Sequence, residues 1–225
     1  LLLAGDLSIL QKELLKNIDD QDYKKILEDL DILEKIVWVK IMKKIQIRKK
    51  IIEKRYSVKR RSDKEKKINE NLMTLNFSDE DIISGYFPFR NEVSIIPFLK
   101  FLTKKGITVC LPSIQKKNFH LLFKKWKPED TMVNGKFDIM EPSNNKYIEP
   151  NILIVPLVAF DPKKNRLGYG GGFYDRTIAY LEKLKKISTI GVAFEEQKIN
   201  NIPLEKFDRS LDLVITQAGI IKWEF

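Results

Sequence analysis

The segment RLGYGGGFYDR, Arg166 to Arg176, follows almost directly on the apolar run ILIVPLVAFD. Of 10 glycines in 225 residues, four (Gly168, Gly170, Gly171 and Gly172) fall within five positions. Glycine costs backbone entropy and is concentrated where φ must be positive or where something approaches the main chain. The apolar run before it has the pattern of a strand buried on both faces, and Tyr174 to Lys186 reads as a helix. A buried strand entering a glycine loop that opens a helix aims unpaired N–H groups and the positive end of the helix dipole at the loop. These residues point to a phosphate cradle, with a glycine-capped tight turn as the plainer reading.

Two familiar phosphate loops do not fit. A Walker A loop requires Lys-Ser/Thr after its last glycine, and none follows here. A dinucleotide fingerprint would place Phe173 at its third glycine and belongs on the first strand of its fold, whereas this strand comes late.

The rest of the chain alternates strand and helix patterns. Ile82 to Phe87 reads as a strand and Val93 to Lys105 as a helix starting near Asn91. Ile107 to Leu111 is a β-branched strand, FHLLFKKW a further strand, and VNGKFDIMEPSNN turn-rich. Ser188 to Ala193 and LDLVITQ close the series. Such alternation predicts an α/β protein with a mostly parallel central sheet. Upstream, Asp63 to Leu75 is helical, as are residues 7–40, with Ile26, Leu27, Leu30, Leu33, Val37 and Ile41 at spacings of three and four. Met42 opens another helical pattern in which Ile41, Ile45, Ile52 and Tyr56 form one stripe, with Lys44, Arg48 and Arg55 beside it. We read 42–225 as a single domain and 1–41 as an N-terminal helical extension.

The net charge of +10 is local. Lys43 to Lys67 holds 13 Lys/Arg against 3 Asp/Glu, and the remainder sums to zero. Such a segment can bind nucleic acid, nucleotide phosphates or an acidic small molecule, or be a solvated face. If the glycine loop has no lysine of its own, Lys44 and Arg48 are the obvious source of charge. Asp175, in the first turn of the helix, suits a Mg²⁺ bridging phosphate oxygens; Asp208 is a second isolated acid. The lone cysteine, Cys110, permits no intrachain disulfide and suits a reducing, cytoplasmic setting. Its apolar context marks a buried structural thiol. The leucine-rich start lacks the basic region and cleavage site of a secretory signal. Lone His120 reads as a strand-surface or packing residue, and Trp126 as core in preference to a ring stacked near a ligand.

The pieces KIQIRKKIIEKR, GYFPFRNEVSI, GITVCLPSI, GKFDIMEP, ILIVPLVAFDPKKNRLGYGGGFYDR and IGVAFEEQKINNIPLEKFDRSLDLVIT, in this order, resemble the 5-formyltetrahydrofolate cyclo-ligase family. The resemblance covers about four-fifths of the chain, from Met42 onward. It implies a three-layer α/β/α fold and an ATP-dependent, C–N ring-forming ligase that uses Mg²⁺ and a reduced folate. By position, it implies that Lys44 and Arg48 contact ATP phosphates, and that Arg166, Gly168, Tyr169, Gly170, Gly171, Gly172, Phe173 and Tyr174 surround the nucleotide. Lys44, Arg48, Arg166 and Tyr174 become the catalytic set. Gly170 to Phe173 also border the folate, with Glu92 hydrogen-bonding its pterin and Phe87 as an apolar wall. Asp175 and Asp208 match the metal-linked acids. Phe173 stands where a tyrosine is common, so a hydroxyl is absent there. The expectation is a monomer with no membrane partner.

Two alternatives remain at this point. A nucleic-acid-binding module using Arg55 to Lys67 explains the charge but gives the glycine loop, Asp175 and Glu92 no purpose. A scaffold that binds nucleotide or folate without turnover keeps the fold and changes the role.

Overall fold

The computed structural model describes residues 32–205 and 207–221, with side chains from residue 37 onward. Most of the helix read over 7–40 lies outside the described residues. The strands and helices are β1 (Ile82–Ser84), β2 (Thr108–Ser113), β3 (Leu122–Lys125), β4 (Met132–Asn134), β5 (Met140–Pro142), β6 (Ile152–Pro156), β7 (Ala159–Phe160), β8 (Arg166–Leu167), β9 (Ser188–Val192), β10 (Leu213–Thr216) and β11 (Gly219–Ile221), with α1 (Ile32–Tyr56), α2 (Arg61–Met73), α3 (Ile96–Lys104) and α4 (Phe173–Leu181).

Seven strands form the central sheet in the order β11-β10-β9-β6-β1-β2-β3. β10, β9, β6, β1 and β2 are parallel, and β3 and β11 add antiparallel edges. Alternate strand residues feed two cores. Val109, Leu111, Ile152, Ile154 and Ile190 pack with Ile68 and Leu72 of α2 and Phe98, Leu99 and Leu102 of α3. Cys110, Leu153, Val155 and Val214 pack with Ile178 and Leu181 of α4. The result is three layers, α/β/α, with the inner strands apolar on both faces because both faces are covered.

Topology places the site. The chain moves from β1 outward to β2 in one direction and from β6 outward to β9 in the other, so the direction of winding reverses between β1 and β6. Loops leaving the carboxyl ends of two such strands diverge and leave a crevice, where ligands bind in open α/β sheets. The crevice here is bounded by the loop after Ser84 and the segment after Pro156.

Several boundaries differ from the sequence reading. The helix is unbroken through Met42, running from Ile32 to Tyr56. Ile45 of the stripe is buried, and Ile47, Ile51 and Ile52 pack against Val158, Ala159, Leu167 and Ile202, whereas Tyr56 is exposed. The apolar run after residue 152 is two strands: Pro156 ends β6, and Ala159–Phe160 pairs with Arg166–Leu167 as a separate hairpin before the glycine loop. The helix read from Val93 starts at Ile96, with a proline in its first turn, because Arg90 and Asn91 are used in a turn. VNGKFDIMEPSNN is a two-stranded ribbon, β4–β5. Trp126 is a core residue and Cys110 is fully buried, its thiol pushed up by desolvation. His120 stacks flat on Tyr180, centroids 4.0 Å apart, a packing role.

Candidate functional site at the switch point

The loop after β1 turns sharply at Phe89–Glu92. Arg90 and Asn91 both have positive φ, 47° and 57°, the pattern of a type I′ turn. The Glu92 N–H donates to the Phe89 carbonyl at 3.0 Å, and the Phe89 N–H donates to Glu92 Oε2 at 3.0 Å. Glu92 is thereby folded back into the crevice, only 6% exposed. Burial pushes its carboxyl up to about 7, against the Phe89 N–H, the Arg55 charge and the Tyr169 hydroxyl, which favour the ionised form. A desolvated carboxylate with one satisfied oxygen is suited to accept planar N–H donors from a ligand.

The glycine loop lies across the crevice. Gly170 and Gly172 have φ of +98° and +63°, which side chains rarely adopt, and Gly172 is the N-cap of α4. Among the described residues the N–H groups of Gly170, Gly171 and Gly172 have no hydrogen-bond partner. These amides and the α4 dipole favour an anion. Phe173 begins α4, its ring meeting Phe137 edge-on at 5.9 Å and lying under the Arg176 guanidinium at 5.3 Å. Tyr174 Oη is buried without a hydrogen-bond partner among the described residues, and burial pushes the phenol up.

Cations come from α1, as its stripe predicts. Arg48 Nε donates to the Gly168 carbonyl at 2.8 Å, and burial lowers the guanidinium pKa while Glu205 and Asp208 oppose this. Lys44, 6% exposed, lies 2.7 Å from Asp208 Oδ2 and 2.9 Å from Glu205 Oε1. Arg166, buried at the start of β8, pairs with Asp175 Oδ1 at 2.5 Å and donates to the Arg209 carbonyl. Desolvation lowers its pKa, with Asp175 opposing.

Asp175 and Asp208 are thus each held by a cation through one oxygen, Oδ1 and Oδ2 respectively. Among the described residues no group of three His, Cys, Asp or Glu is placed to hold a metal by itself. The arrangement fits an ion carried mainly by phosphate oxygens, with one or two carboxylates completing its shell.

The structure therefore brings the basic stripe, the glycine loop, both acids and Glu92 to one crevice. Phe87 is half-buried on the β1 loop, but Phe89 is the residue whose ring meets Tyr169, at 6.1 Å. Phe89, Phe137, Glu205 and Arg209 were not legible as site residues, since each meets Tyr169, Phe173, Lys44 or Arg166 respectively only through the fold. Of the ten Lys/Arg from Lys49 to Lys67, three are engaged within the protein and the other seven are exposed. Arg55 is 1% exposed, Arg61 pairs with Glu65 and donates to Asn91 and Glu92 carbonyls, and Lys64 pairs with Glu196. No described helix is long and apolar enough to cross a membrane.

Fold and site together define an α/β enzyme with an anion cradle and a buried acid at one switch point. Residues 40–217 match the model of the 5-formyltetrahydrofolate cyclo-ligase family. A 5-formyltetrahydrofolate cyclo-ligase of Haemophilus influenzae is 39% identical over 132 residues, 56% of this chain and 70% of the relative. A solved 5,10-methenyltetrahydrofolate synthetase from Mycoplasma pneumoniae superposes with a TM-score of 0.63 at 26% identity, covering 77% of this chain and 98% of its own. The Aquifex aeolicus 5,10-methenyltetrahydrofolate synthetase gives 0.66 at 27% identity, covering 80% of this chain and 92% of that one. The chain belongs to the 5-formyltetrahydrofolate cyclo-ligase family.

Proposed function

We propose that this chain closes 5-formyltetrahydrofolate to 5,10-methenyltetrahydrofolate, driven by conversion of ATP to ADP and phosphate. The observation that carries the reading is the junction at Tyr169. Its backbone belongs to the anion cradle, and its hydroxyl acts on Glu92, the acid suited to a pterin. One crevice thereby offers a phosphate site beside a site for a planar N–H donor, as a reaction joining ATP to a reduced folate requires.

The chemistry follows from leaving groups. An amide-like formyl oxygen leaves poorly, so it first attacks the γ-phosphorus, the bond to ADP breaking as the O–P bond forms. The neighbouring folate nitrogen then adds to the formyl carbon and loses its proton. The C–O bond breaks, and phosphate departs carrying the former formyl oxygen. Catalysis of such transfer is mainly positioning and neutralisation of charge.

Each residue has a part. The Gly170–Gly172 amides and the Arg48 guanidinium hold the phosphates, with Lys44 exchanging its carboxylate partners for phosphate oxygens. Arg166 fixes Asp175 at the start of α4. Glu92 accepts pterin N–H groups and orients the formyl group, with Phe87, Phe89 and Phe173 as apolar walls. Tyr174 keeps an unpartnered, buried hydroxyl within the electrostatic reach of Glu92 and Arg166. Asp175 and Asp208 would hold Mg²⁺, which when bound supplies neutralisation of phosphate charge.

The route is tested with ¹⁸O in the formyl group. The label is expected in released phosphate; label appearing in water instead contradicts phosphorylation of that oxygen.

A further inference from the structure

Arg55 lies on the same face of α1 as Lys44 and Arg48, yet it is 1% exposed. Taking a guanidinium out of water is costly unless its hydrogen bonds are well met. Among the described residues it forms no ion pair with a carboxylate. Nη1 donates to the Leu157 carbonyl at 3.3 Å, and Nη2 donates to the Arg90 carbonyl at 2.5 Å and to the Tyr169 hydroxyl. Its Cζ also lies 5.6 Å from the Tyr169 ring centroid. These three acceptors sit on three different segments: the exit of β6, the turn after β1 that carries Glu92, and the glycine loop. Leu157 is held from the other side by Gln197 Nε2 at 2.6 Å, so the fork is anchored to a fixed point of the scaffold.

We propose that Arg55 is a positioning residue that ties the nucleotide loop to the folate-binding acid, holding Tyr169 and the Phe89–Glu92 turn in one fork with its charge directed at Glu92. The inference rests on the folate role given to Glu92 above. Other groups facing Glu92 do not substitute for it. Tyr174 from α4 and Tyr86 from its own loop are buried phenols whose own ionisation Glu92 disfavours. Arg61 from α2 is engaged with the Glu92 backbone carbonyl and with Glu65. Besides the Phe89 N–H, the Arg55 charge and the Tyr169 hydroxyl are what oppose desolvation of the carboxylate. Arg55 therefore favours the ionised form of Glu92 as well as fixing the turn that carries it.

The test is binding of 5-formyltetrahydrofolate to the full chain by calorimetry between pH 5.5 and 8.5, on the order of half-unit steps about the Glu92 value near 7. Wild type is expected to lose affinity on the acid side, and Glu92→Gln to lose that dependence. In Arg55→Met the acid limb moves up by about one pH unit, roughly fivefold weaker binding at pH 7 and roughly tenfold on the acid side. Tyr169→Phe, at a loop position 38% exposed, moves the limb the same way. The double variant is no worse than the worse single one, because both remove the same link. An unmoved limb in Arg55→Met and Tyr169→Phe, with Glu92→Gln still abolishing it, overturns the role of Arg55 and leaves the folate reading standing. No limb in wild type, or one that survives Glu92→Gln, overturns the folate reading and this inference with it. Should Arg55→Met fail to fold, Tyr169→Phe decides.

Discussion

The Arg48 guanidinium rests on Gly170: its Cζ is 3.3 Å from where a β-carbon on that glycine would stand, and its Nε is bonded to Gly168 one turn of the loop away. Cradle and cation are one unit, so a change in the loop backbone moves the charge.

Gly170→Ala is expected to cost about 1–2 kcal/mol in backbone strain at φ +98° and to weaken ATP binding roughly tenfold as Arg48 is displaced. Gly168→Ala meets nothing within 4 Å and has no positive φ, so its stability stays within about 0.5 kcal/mol of wild type. Thermal unfolding and nucleotide titration check the pair. Equal effects at both positions would contradict the assignment.

Glu92 binds its proton more tightly in the folded chain than in the unfolded one, about 7 against 4.5. Its contribution to stability is therefore best below pH 4.5, is lost as pH rises towards about 7, and above that amounts to a penalty of up to roughly 3 kcal/mol. Glu92→Gln should raise the melting temperature at pH 8 by several degrees while weakening folate binding. A variant less stable than wild type at pH 8 refutes the burial argument.

Arg166 has a side chain 5% exposed and Asp175 one 30% exposed. Asp175→Ala leaves the guanidinium buried without its carboxylate, and because Asp175 is partly solvated the cost is about 1–3 kcal/mol. The same change should raise the Mg²⁺ concentration needed for half-maximal turnover. Asp208→Ala should do so too, freeing Lys44 of one partner. Unaltered Mg²⁺ dependence in both variants would remove them as metal-linked acids.

Val37 and Val39 are exposed at 55% and 40%, and the family match begins at residue 40. We propose that 42–225 is the folding unit. A chain shortened to start at Met42 is expected to unfold within a few degrees of the longer one and to keep its activity. Failure of that chain to fold shows that the preceding turns of α1 are part of the domain.

Local chemistry was legible in the sequence wherever one stretch carried it. Four glycines after a buried run and before an amphipathic helix state their place in an α/β sheet, and Lys44 and Arg48 are spaced to share a helix face. Glu92 came through the family resemblance, since a lone Glu after a strand has no signature of its own. What was not legible depends on contacts between distant segments. The apolar run continues past residue 156 in sequence, yet the backbone leaves the sheet there, with Gln197 and Arg55 taking the Leu157 carbonyl. Arg55 reads as one more surface cation until Arg90 and Tyr169 close over it. Phe137, on a ribbon tip 36 positions before Phe173, meets it only because the β4–β5 ribbon folds back.

The central claim is tested most directly by mixing the purified chain with 5-formyltetrahydrofolate, ATP and Mg²⁺ and following the near-ultraviolet absorbance of the methenyl product, beside Arg48→Ala and Glu92→Gln. The expected result is a signal that requires ATP and collapses in both variants. Well-folded protein that binds ATP and yields no methenyl product would contradict it.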